Sequence, residues 1–108
     1  LYKNPSNFGT LKNPTNTGTA YNSVCGDEIT VQMIIKNKVI KNAKFSGSGC
    51  VISLVSASLL TDKIKGMKTK DVQKINKENV KKLVKLKSNS ERVKCALLPL
   101  EAVKKALK

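Results

Sequence analysis

A double alternation between residues 28 and 45 limits the possible folds more than any other feature of this sequence. From Glu28 the chain runs with period two. Ile29, Val31, Met33 and Ile35 fall on one side, and Glu28, Thr30 and Gln32 on the other. After Lys36-Asn37-Lys38 a second alternation puts Val39, Ala43 and Phe45 on one side and Asn42 and Lys44 on the other, with Lys41 breaking it. Side chains two apart in a strand share a face, so each run is a strand with one apolar side. A short Asn-centred turn between them makes an antiparallel hairpin. A hairpin does not stand alone in water, so its apolar face needs a helical cover.

The rest of the chain supplies that cover. "VISLVSASLLTDKIKG", residues 51–66, reads as a helix with Val51, Leu54, Val55, Leu59 and Ile64 at helical spacing and Gly66 just past its end. Its first half is apolar or small almost all round, which predicts deep burial. Thr69 to Ile75 reads as a short helix. Asn76 suits the cap of another, with Val80, Leu83 and Val84 inward. A last helix begins at Ser90 or Lys94 and runs through Ala102, Val103, Ala106 and Leu107. The ring of Pro99 meets the carbonyl four residues back, that of Cys95, so regular helix is expected at or after Cys95, or with a kink there. Before the hairpin, residues 1–24 are rich in Asn, Pro, Gly and Thr and read as an irregular lead-in. The length of 108 residues suits one domain, 1–108.

Aliphatic residues must build the core, because only 4% of the chain is aromatic. No run reaches the roughly 18 apolar residues of a membrane span, and no signal segment is visible. The formal net charge is +14. That charge fits either a nucleic-acid binder or a lysine-rich solvated surface. The second is favoured: Arg92 is the only arginine, and Tyr2, Phe8, Tyr21 and Phe45 form no stacking strip. The expectation is therefore no nucleic acid and no membrane among the partners. With no histidine, this chain cannot supply a Ser-His or Cys-His pair or an imidazole ligand.

Three cysteines remain: Cys25, Cys50 and Cys95. An odd number at wide spacing is a poor disulfide framework. They are either unrelated small hydrophobes in the core or a site for metal or thiol chemistry. Their contexts favour chemistry. Cys25 precedes the first strand, Cys50 follows a Gly-rich turn that opens a helix, and Cys95 lies near the mouth of the last helix. Free N–H groups at a helix start favour a thiolate. In an extended "CGD", Cys25 and Asp27 project to the same side, and Gly26 lets the backbone bend. Gly47 and Gly49 do the same before Cys50. Three thiolates and one carboxylate make a four-ligand set for tetrahedral Zn²⁺, or for an iron–sulfur cluster with one oxygen ligand.

These pieces, with "NPSNFG" at 4–9, "AKFSGSGCVISLVSASLL" at 43–60, "IKGM" at 64–67 and "RVKCALLPLEAVKKAL" at 92–107, resemble the iron–sulfur cluster assembly scaffold family of the IscU, SufU and NifU N-terminal type. The resemblance covers nearly the whole chain. It implies an α+β domain: a small antiparallel sheet, including the 28–45 hairpin, covered on one face by helices. A helix common in the family would precede Leu1. It implies Cys25, Asp27, Cys50 and Cys95 as metal or cluster ligands, with Gly26, Gly49 and Lys94 in support. It implies a cytoplasmic scaffold, not an enzyme, for a transient [2Fe–2S] cluster. A cysteine desulfurase would deliver persulfide sulfur to Cys25, Cys50 or Cys95, and apo iron–sulfur proteins would receive the cluster. A homodimer is a further candidate assembly.

Two departures bring in a second reading. The histidine that precedes the third cysteine in the IscU branch is Lys94 here, and "GCVIS" stands at 49–53. Both look like the SufU branch, which implies a zinc-dependent persulfide carrier, although the insertion of that branch between its second and third cysteines is absent. The family's chaperone-recognition stretch is also replaced, by "SNSERVK".

Overall fold

The computed structural model describes residues 7–22, 26–84 and 93–107. Three antiparallel strands, β1 (Asn16–Asn22), β2 (Asp27–Lys36) and β3 (Val39–Ser48), form one sheet in the order β1-β2-β3. Four helices follow: α1 (Val51–Ile64), α2 (Thr69–Val72), α3 (Lys77–Val84) and α4 (Val93–Ala106). The expected α+β architecture is present, and the helices pack on the sheet.

The hairpin turns through Asn37 and Lys38, both at positive φ (53° and 64°), between the paired residues Lys36 and Val39. A two-residue turn of this handedness matches the twist of the flanking strands. Lys41, which interrupts the sequence alternation, is the extra residue of a bulge: Ile34 pairs with Asn42, but Ile35 pairs with Ile40. The bulge reverses the faces beyond it. Ile40, not Val39, is buried beside Ala43 and Phe45, and Ile35 is only half-buried where full burial with Ile29, Val31 and Met33 was expected.

Two further expectations are corrected. Residues 1–24 are not irregular throughout, because β1 occupies Asn16–Asn22. Its alternation is hidden in the sequence because its inward residues are Gly18 and Ala20, the two smallest. α4 needs that space: a Cβ on Gly18 would overlap the carbonyl oxygen of Ala102 and the backbone of Ala106. Asn16 Nδ2 fixes the same contact by donating to the Ala106 carbonyl at 2.7 Å.

The second correction concerns α1. Of its predicted apolar stripe only Ile64 is buried, and Val51 is 42% exposed. The buried face is Ser53, Ser56, Ala57, Ser58, Leu60, Thr61 and Ile64. Small residues let α1 approach α4 and the sheet closely, and most of its hydroxyls find acceptors. Ser56 Oγ donates to the Ala96 carbonyl at 2.6 Å, and Thr61 Oγ1 to the Ala57 carbonyl at 2.6 Å. α4 starts at Val93, between the expected starts at Ser90 and Lys94, and carries Pro99 inside it.

Asn76 caps α3 as expected, in a reciprocal pair. Its Oδ1 accepts from the N–H of Asn79 at 3.0 Å, and Asn79 Oδ1 accepts from the N–H of Asn76 at 2.9 Å. Val80 is buried, and Leu83 and Val84 are half-buried. The stretch around Asn7 flanks β3, with Gly9 N–H to Phe45 O at 2.8 Å and Phe45 N–H to Asn7 O at 3.0 Å. The ring of Phe8 meets Phe45 edge-on at 5.4 Å. Asn7 Nδ2 also reaches Thr61 Oγ1 at 3.0 Å, tying this stretch to α1. Among the described residues no helix is long and apolar enough to cross a membrane.

Gly18→Ala is expected to cost about 1–3 kcal/mol, because α4 must retreat from β1 to admit the methyl group. Urea unfolding should show a lower midpoint at unchanged slope. An unchanged midpoint would mean that α4 is free to back away.

Candidate metal centre

Three chain segments end at one point. Asp27 opens β2 opposite Asn22, the last residue of β1. The preceding Gly26 sits at φ 71°, in the left-handed region that glycine adopts without strain, and its N–H donates to the Asn22 carbonyl at 2.8 Å. Asp27 is buried, although it is acidic. A buried carboxylate is costly without donors, and Ser53 Oγ donates to its Oδ2 at 2.9 Å.

The second segment is the β3–α1 junction. Gly47 sits at φ 124° near the end of β3, and Gly49, lacking a side chain, leaves room beside Asp27. A Cβ at Gly49 would lie 3.3 Å from Asp27 Cγ and 3.1 Å from Ser53 Cβ, tighter than ordinary packing. Cys50 then stands at the N-cap of α1 in extended conformation and is exposed. Burial pushes its thiol pKa up. The backbone N–H and hydroxyl of Ser53, the Cys95 thiol and the Ile52 N–H together outweigh that and hold it below the ordinary value. The sequence argument from the helix start therefore holds for Cys50.

The third segment is the first turn of α4, where Cys95 is buried. Pro99 has no N–H to give the Cys95 carbonyl, so the helical ladder has a gap there. Ser53 Oγ lies 3.2 Å from that carbonyl oxygen. The same hydroxyl is 3.6 Å from Cys50 Sγ.

The ligand atoms of Asp27, Cys50 and Cys95 all lie within 4.8 Å of one another. Metal–ligand bonds of about 2.3 Å in a tetrahedron put ligands about 3.8 Å apart, so small side-chain movements let the three share one ion. Two soft thiol donors with one carboxylate fit Zn²⁺ or iron better than a hard cation. Cys25 lies outside the described residues. Lys94 is exposed on the first turn of α4, beside Cys95 in sequence. Sequence reasoning missed Ser53; its signal was a serine three residues after Cys50, and a proline four residues after Cys95 that leaves a carbonyl needing a donor. A separate hollow of about 580 Å³, lined by Asn37, Lys38, Lys68, Thr69, Lys70 and Gln73, contains none of these residues.

The NifU-like N-terminal domain model matches residues 1–108. The chain is 35% identical over 124 residues to the iron–sulfur cluster assembly scaffold protein IscU of Thermotoga maritima, a match covering 99% of this chain and 87% of that protein. It is 43% identical over 72 residues to the zinc-dependent sulfurtransferase SufU of Bacillus subtilis, covering 67% of this chain and 46% of that protein. Among solved structures, FiSufU of Fervidobacterium islandicum, described as a candidate iron–sulfur cluster assembly scaffold for the SUF system, superposes with a TM-score of 0.84 at 28% identity. That match covers 99% of this chain and 90% of that one.

In the metal-free protein, alkylation of Cys50 followed peptide by peptide across pH should give a midpoint below that of a free cysteine thiol, about 8.5, because the lowering contacts outweigh burial. A midpoint at or above that value would contradict the account of its surroundings.

Proposed function

The chain belongs to the NifU-like N-terminal domain family, and from that premise we propose that it is a cytoplasmic scaffold on which iron–sulfur clusters are assembled and handed on. The observation that carries this is the convergence of Asp27, Cys50 and Cys95 within 4.8 Å at the ends of three different segments. Cys25, two residues from Asp27 in sequence, completes the ligand set. The cluster is cargo, not a resident group. A cysteine desulfurase supplies sulfur as a persulfide: a scaffold thiolate attacks the outer sulfur, and the desulfurase thiolate leaves. Of the two described thiols, Cys50 is the better placed to make that attack, since it is exposed and Cys95 is buried. An external electron donor reduces the persulfide sulfur to sulfide, with two electrons per sulfur releasing the scaffold thiolate; iron joins on the same donors, and an apo acceptor protein takes the product.

A carboxylate among thiolates suits a site that must release what it builds. Oxygen holds iron–sulfur iron less firmly than a thiolate does, so Asp27 is the ligand that lets go and exchanges first. Anaerobic reconstitution with iron and sulfide should give visible absorption that each Cys→Ser variant weakens. Asp27→Ala should retain its cluster longer than wild type against a chelator. Equal or faster loss from that variant would count against the exchange role.

A second reading keeps the same residues. Lys94, the "GCVIS" stretch and the identity to Bacillus subtilis SufU favour a zinc-dependent sulfur carrier. Zn²⁺ would be held by Cys25, Asp27, Cys50 and Cys95, masking the thiols until one accepts sulfur. Desulfurase turnover under limiting reductant decides between them. Stimulation by the zinc form supports the carrier, and its absence leaves the scaffold.

A further inference from the structure

We propose that Ser53 is a positioning residue for the metal centre: its hydroxyl sets the orientation in which Asp27 presents its carboxylate to a metal. This rests on the reading of Asp27 as a ligand. Ser53 is fully buried in the first turn of α1. Its Oγ reaches three partners belonging to three segments: Asp27 Oδ2 at 2.9 Å, the Cys95 carbonyl at 3.2 Å and Cys50 Sγ at 3.6 Å. Every ligand in the cluster is therefore touched by this one hydroxyl, through side chain or backbone.

A hydroxyl has one proton and two lone pairs. It donates to one acceptor at a time, so Asp27 Oδ2 and the Cys95 carbonyl compete for it. The carboxylate is the stronger acceptor, because a charged partner roughly doubles the strength of a hydrogen bond. A hydrogen bond donated to Oδ2 fixes the carboxylate torsion and leaves other lone pairs for a metal. Glycine at position 49 leaves room for this pairing, since a Cβ there would lie 3.3 Å from Asp27 Cγ and 3.1 Å from Ser53 Cβ. Partners of this kind around a ligating group commonly contribute about 10–100-fold to metal affinity.

A purely structural role is separable, because α1 carries a matched hydroxyl one turn on. Ser56 is equally buried and donates to the Ala96 carbonyl of α4 at 2.6 Å, and none of its hydrogen bonds goes to Asp27 or a thiol. Both serines join α1 to α4, but only Ser53 joins the helices to the ligands.

Zinc affinity of the full chain, measured by competition with a chromophoric chelator, tests this. Ser53→Ala should bind Zn²⁺ about tenfold or more weakly, and Ser53→Thr, which keeps the hydroxyl, should recover most of the loss. Ser56→Ala should bind as wild type does. In an Asp27→Ala background, Ser53→Ala should have little further effect, because its partner is gone. Wild-type affinity in Ser53→Ala, an equal loss in Ser56→Ala, or a Ser53 effect undiminished without Asp27 would each overturn the positioning role. Wild-type zinc affinity in Asp27→Ala overturns the ligand reading, and the positioning role with it. A loss in Asp27→Ala with none in Ser53→Ala overturns the positioning role alone.

Discussion

The close seating of α1 against α4 is the contact on which the centre depends. Buried hydroxyls of α1 reach backbone carbonyls of α4 across it. Ser53 and Ser56 each aim at a carbonyl in the first turn of α4. Larger apolar residues at these positions would hold the helices farther apart and carry Cys95 away from Cys50. Buried hydroxyls require acceptors, so this packing fixes helix register more tightly than apolar contact does. On the other side α4 lies against Gly18 of β1, where no side chain intervenes. The helix that brings in Cys95 is thus held from two sides at backbone distance.

The centre is built from ends of elements, and that has chemical consequences. The start of a strand gives Asp27, a helix N-cap gives Cys50, and a first helical turn gives Cys95. Such places have backbone N–H groups not yet used by the ladder, which favour anionic thiolates. Cys50 is exposed at this rim, and Asp27 and Cys95 are buried behind it. Pro99 extends this logic into α4 by leaving the Cys95 carbonyl to be met from outside its own helix. The sheet behind is tightly packed and aliphatic, with Ile29, Val31, Met33 and Phe45 fully buried. A rigid floor under an open rim suits a site that holds cargo briefly.

Much of this was legible in the sequence, for identifiable reasons. The hairpin could be read because Ile29, Val31 and Met33 are large and alternate cleanly. The meeting of Asp27, Cys50 and Cys95 could be read because glycines precede Asp27 and Cys50, and because the family motifs run in order along the chain. β1 could not, since its inward residues are Gly18 and Ala20 and leave no hydrophobic trace. The face of α1 was misread because burial there follows serine, alanine and threonine, while the obvious aliphatics Val51, Leu54, Val55 and Leu59 sit at its rim. Periodicity reports hydrophobicity, and here close approach and hydrogen bonding outweigh it. Lys41 looked like a flaw in an alternation and is the extra residue of a bulge. Ser53 left only a faint trace in the sequence, since two of its three partners come from residues 26 and 42 positions away.

The central claim is that thiolates and one carboxylate of a single chain close around one metal. X-ray absorption at the zinc edge of the zinc-loaded protein tests this most directly. The account predicts about three sulfur neighbours near 2.3 Å and one oxygen near 2.0 Å, with the oxygen contribution altered when Asp27 is replaced. A shell of oxygen alone, or of four sulfurs with no light atom, would contradict it.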